Sequence, residues 1–102
     1  MWPNRKLKIQ ARRTLVTLLD RTKALTDNSE ESCYAGLSPA EIGMDLSIAL
    51  DALAKEGKID RDQLRMLFAP TGPLQETAMM SGWTDEYMKI SEQFDKAIEG
   101  LK

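Results

Sequence analysis

Apolar residues recur along this chain at spacings of three and four, the period of a helix that buries one face. From about Asn4 to Thr26 the stripe is Leu7, Ala11, Leu15, Leu18, Thr22 and Leu25, with Asn4, after Pro3, placed as the N-cap. Asp27 to Ser32 has no apolar residue and predicts an exposed connection reaching about residue 36. Ser38-Pro39-Ala40-Glu41 carries the strongest start signal. Serine caps, proline fills the first helical position, and the glutamate reaches back to complete a capping box. Ile42, Leu46, Ala49, Leu50 and Leu53 follow as the buried stripe, and Gly57 supplies the stop.

A third helix is expected from Asp60, with Gln63 as the second capping partner and Ile59 stapling across to Leu64. It should end near Ala69, since Pro70 disfavours helical geometry in the residue before it. Pro73 opens a short fourth helix through Met80, closed by Gly82. Thr84 then caps a last helix whose Tyr87, Ile90, Ser91, Phe94, Ile98 and Leu101 share a face. Asp85 with Lys89, and Glu92 with Lys96, are acid-before-base pairs on its outer side.

These elements predict an all-α fold, a compact bundle of about five helices, two of them short, in a single domain over 102 residues. Composition agrees. Thirteen leucines, ten alanines and six methionines stand against six isoleucines and one valine, a balance that favours helix over strand. No segment approaches the roughly 20 apolar residues of a membrane span, so no membrane partner is expected. The first twenty residues carry charge through their middle and do not read as a secretory signal. A cytoplasmic location follows as the default.

The absence of histidine removes the usual neutral-pH base and the commonest zinc ligand. A single cysteine, Cys33, excludes an internal disulfide and a multi-thiolate metal site. Glu41/Asp45 and Asp60/Asp62 are carboxylate pairs, but solvated helix faces hold such pairs routinely. The Pro70-Thr71-Gly72-Pro73 turn lacks the lysine and further glycines of a phosphate loop. No catalytic residue, metal ligand or cofactor is therefore assigned, and the chain is not expected to be an enzyme.

Charge is unevenly placed. Residues 1–26 hold seven basic side chains and one acidic, whereas residues 27–102 hold seven basic and fifteen acidic. Arg5, Lys6, Lys8, Arg12 and Arg13 spread over the first helix away from its apolar stripe. Two expectations compete here: a nucleic-acid contact through Arg5, Lys8, Arg12 and Arg13, or a basic face attracted to the acidic remainder of the domain. On the second helix, Met44 and Ile48 lie off the core stripe with Glu41, Asp45 and Asp51 nearby. An apolar patch rimmed by acids suits a basic protein partner, and a central helix packed on two sides is the alternative. Met79, Met80, Trp83 and Tyr87 around Gly82 pose the same choice between core and interface, and homo-oligomerisation through them is a further alternative.

The stretch SIALDALAKEGKIDRDQLRML, continuing as LFAPTGPLQETAMMSGW, resembles the small acidic helical immunity proteins of bacterial toxin systems over roughly residues 44–95. That resemblance implies a non-enzymatic inhibitor binding a toxin through an acidic helical surface. The basic first helix departs from the pattern. The leading expectation is a protein-binding module, with a nucleic-acid-binding accessory protein and a self-associating structural subunit as alternatives.

Overall fold

The computed structural model describes residues 2–29, 38–55, 57–70 and 72–101, with side chains from Lys8 onward. The chain forms five α-helices: α1 Trp2–Asp27, α2 Pro39–Ala54, α3 Arg61–Leu67, α4 Pro73–Ser81 and α5 Thr84–Glu99. Among the described residues there is no strand, and the architecture is the all-α bundle that the periodicity predicts. Its radius of gyration of 13.5 Å matches the ~13 Å of a folded chain of this length. The 47 Å long axis reflects the 26 residues of α1, about 39 Å of continuous helix.

α1 is the spine, with α2 along one flank and α5 along the other. Both flanking helices run antiparallel to it. Gly43 near the start of α2 approaches Asp27, while Arg12 reaches the carbonyls of Leu53 and Gly57 beyond its end. Likewise Arg21 pairs with Glu86 at the start of α5, and Gly100 after its end closes on Ala11. A Cβ at Gly100 would stand 2.9 Å from that of Ala11, so two minimal residues let the end of α5 close on the first half of α1. α4 touches α1, α2 and α5, and α3 packs against α4.

Of the predicted stripe of α1, Ala11, Leu15, Leu18 and Thr22 are buried and Leu25 is half-buried, while the side chain of Leu7 lies outside the described residues; the buried face carries hydroxyls as well as leucines. Leu15, Leu18 and Leu19 are buried beside Thr22 and Thr26, both fully inaccessible. Each threonine returns its proton to its own helix, Thr22 Oγ1 to the Leu18 carbonyl at 2.6 Å and Thr26 Oγ1 to the Thr22 carbonyl at 2.8 Å. No unmet donor enters the core at those sites. Thr77 on α4 differs, since its buried hydroxyl has no hydrogen-bond partner among the described residues.

The start signals are realised as chemistry. Ser38 Oγ accepts the Glu41 amide at 3.2 Å while Glu41 Oε1 accepts the Ser38 amide at 3.1 Å, completing the capping box. At α3 the expected pair is half formed among the described residues: Asp60 accepts the Gln63 amide at 3.0 Å, with no return bond from the Gln63 side chain. Gly82 closes α4 in the left-handed conformation at φ 81°, where a Cβ would be strained.

Two expected caps move. α1 begins at Trp2, so Asn4 lies within its first turn; Pro3 is compatible because amides there have no helical acceptor. α5 is entered from Trp83 rather than Thr84, because the Tyr87 amide already donates to the Trp83 carbonyl at 2.9 Å. Trp83 is held there by its own amide on the Ala78 carbonyl at 3.0 Å and by its indole Nε1 on Ser29 Oγ at 2.8 Å. Ser29 is therefore half-buried and docked rather than part of an exposed connection; residues 30–37, including Cys33, lie outside the described residues.

An aromatic series ties the short helices to α5. Trp83 meets Tyr87 edge-on at 6.3 Å, Tyr87 lies parallel to Phe68 at 6.3 Å, and Phe68 stacks on Phe94 at 4.1 Å. The Tyr87 hydroxyl donates to the Phe68 carbonyl at 3.0 Å, fastening the end of α3. Burial pushes that hydroxyl above the ordinary tyrosine range, opposed by a hydrogen bond with Ser91 and reinforced by the charge of Asp95.

Replacing fully buried Leu15 by alanine should cost about 2–5 kcal/mol in urea unfolding. Thr77→Val should stabilise the chain by about 1 kcal/mol, because it removes a buried hydroxyl that has no partner among the described residues. The raised Tyr87 ionisation gives a sign. An unfolded tyrosine loses its proton near 10.0 while the folded one keeps it, so this contribution is complete below about pH 10 and is lost as pH rises beyond. The drop in unfolding free energy from about pH 9 to pH 11 should therefore be smaller in Tyr87→Phe than in the parent.

Candidate functional site

The outward face of α2 follows from helical geometry. With Leu46 pointing inward, Glu41, Met44, Ile48 and Asp51 fall on the opposite side at about 100° per residue, and Asp45 sits on the flank. Met44 is 66% exposed and Ile48 61%, so α2 does not bury these two against a second neighbour among the described residues. They form an unpartnered apolar pair in the middle of a helix whose inner side is sealed.

The acidic rim is less free than its composition suggests. Glu41 is committed to the capping box, and Asp51 pairs with Lys55 at 3.1 Å. Asp45, half-buried, has no partner among the described residues and is the acid of this face with uncommitted charge. Removing Glu41 would thus disturb the start of α2 as well as the surface.

The Gly82 cluster divides. Trp83 and Tyr87 are core, whereas Met79 and Met80 are 61% and 51% exposed, joined on the surface by Met66 and Met88. Aromatic rings carry enough area to close the junction of α3, α4 and α5, and the methionines flanking them are left outside.

The basic residues of α1 do not form one strip. Arg13 and Lys8 are exposed; Arg12 turns toward the C-terminal end of α2, donating to the Leu53 carbonyl at 3.5 Å and that of Gly57 at 3.4 Å. A cation there complements the negative end of the α2 dipole. Arg21 pairs through Nε with Glu86 at 2.8 Å, and Lys23 with Asp27 at 2.6 Å. Part of the basic helix is thus neutralised within the chain. The side chain of Arg5 lies outside the described residues.

Spacing alone did not reveal a cleft between α1, the 57–60 connection and α3. Lys8 and Arg12 meet Lys58 and Arg61 there, over Ile59 and Leu101. Among the described residues no cluster of acidic or thiol side chains is arranged to hold a metal, and no helix is long and apolar enough to cross a membrane.

No family model, no curated protein and no solved structure matches this chain. Site assignment therefore rests on its own geometry. Because Met44 and Ile48 are exposed, Met44→Ser with Ile48→Ser should change unfolding free energy by no more than about 0.5 kcal/mol. A larger loss in chemical denaturation would mean that this face is packed.

Proposed function

We propose that this chain is a non-enzymatic protein-binding module that captures a basic partner on the outer face of α2. The observation that carries the proposal is the pair Met44 and Ile48, exposed at mid-helix beside the uncommitted carboxylate of Asp45. Apolar side chains at the centre supply burial, and the surrounding negative charge steers a positive partner and raises its encounter rate. Residues 27–102, with fifteen acidic against seven basic side chains, extend that field beyond α2. The resemblance to immunity proteins makes a basic toxin domain, met in the cytoplasm, the first partner class to examine.

Capture from the native host, at low and moderate salt and after nuclease treatment, tests this directly. The parent chain should retain a basic protein that Ile48→Asp combined with Asp45→Lys no longer retains. Glu41 is left intact because its substitution would also break the capping box. Equal retention of the same protein by parent and variant would remove α2 as the contact surface.

A further inference from the structure

We propose that the cleft between the first half of α1, the 57–60 connection and the start of α3 is a binding site for a compact, multiply charged phosphate group. Its lining brings together Lys8, Arg12, Lys58 and Arg61, with no carboxylate side chain among the described residues that line it, in an open hollow of about 470 Å³. This is unexpected in a chain of net charge −2, whose acidic side chains outnumber the basic ones. Elsewhere the described cations are mostly matched: Arg21, Lys23, Lys55, Arg65 and Lys96 each stand within 4.0 Å of a carboxylate. Lys8, Lys58 and Arg61 have no such partner among the described residues, and Arg12 donates only to backbone carbonyls. Unmatched positive charge is thus concentrated in one concavity.

A cleft walled by a single sign of charge focuses its field and concentrates counter-ions of the opposite sign. Two arginines can present paired N–H groups to phosphate oxygens, while two lysines add charge without fixed direction. Ile59 and Leu101, both half-buried, form an apolar floor that keeps these head groups at the rim. The size of the hollow and its surroundings limit the ligand. Asp60 and Asp62 are exposed nearby on the same segment, and the chain beyond residue 26 is strongly acidic, so an extended polyanion would meet repulsion outside the hollow. A phosphate or pyrophosphate moiety confined to the cleft would not. This site is separate from the α2 face and stands whether or not that face binds a protein.

Pyrophosphate is the probe. Titration into the full chain, followed by calorimetry at low ionic strength, should show saturable binding that weakens as salt is added. Lys58→Ala with Arg61→Ala should raise Kd by about tenfold or more, each lost charged hydrogen bond contributing a substantial share. Arg13→Ala and Lys89→Ala, which remove exposed cations outside the cleft, should leave Kd within about twofold of the parent. Circular dichroism confirms that the variants remain folded, and Lys58→Gln alone provides a second, more conservative probe of the same wall. Absence of saturation at millimolar pyrophosphate would overturn the proposal. So would equal weakening by the Arg13 and Lys89 variants, or tighter binding of a short single-stranded oligonucleotide that depends on Arg13.

Discussion

Burial of one stripe of α1 is the constraint on which the rest of this molecule depends. Leu15, Leu18, Leu19, Thr22 and Thr26 present a continuous inner surface, and the two longest remaining helices dock on either side of it. Each fully buried leucine contributes about 1.5–3 kcal/mol by leaving water. The threonines extend the stripe without penalty because each hydroxyl finds an acceptor one turn back. With α2 and α5 both antiparallel to α1, the helix ends are brought within reach of one another, and the short elements fill the space that remains.

Those short elements cannot hold themselves. α3 has seven residues and α4 nine, lengths at which an isolated helix in water is marginal. Their stability is tertiary. Phe68 at the end of α3 is stacked on Phe94 and receives the Tyr87 hydroxyl on its carbonyl, while Leu74, Thr77 and Ala78 bury one side of α4. Trp83 then links the α4–α5 turn to Ser29 after α1, so that a single indole spans the far end of the bundle. Rings are used where three elements converge, because only they offer enough area from one position.

Charge follows a different logic from burial. Surface ion pairs such as Arg65 with Glu99 contribute little to stability, but they determine which charges remain available to other molecules. On α2 two of three acids are engaged locally, which shifts the weight of that face toward Met44 and Ile48. On α1 the cations part company: Arg21 and Lys23 are matched, Arg13 faces solvent, and Lys8 and Arg12 line the cleft. The basic first helix is therefore several electrostatic environments, not one.

Helix positions, the capping box at Ser38, the Asp60 cap, the stop at Gly82 and most of the inner stripes of α1, α2 and α5 were legible from residue order. Each depends on contacts within about one or two helical turns, and periodicity and hydrogen-bonding chemistry encode those locally. The departures were at junctions. Trp83 replaced Thr84 as the entry to α5, and Ser29 was docked, because both answer to a contact 54 residues apart. The same reason separates the candidate sites. That Met44 and Ile48 lie off the core stripe was readable; that nothing in the described chain covers them was a matter of how α2 is set against α1. Lys58 and Arg61 carried no signal in their own surroundings. Only the packing of α1 against the end of α2 brought them beside Lys8 and Arg12, since relative helix placement arises from side-chain interlock between distant segments and leaves no local periodic trace.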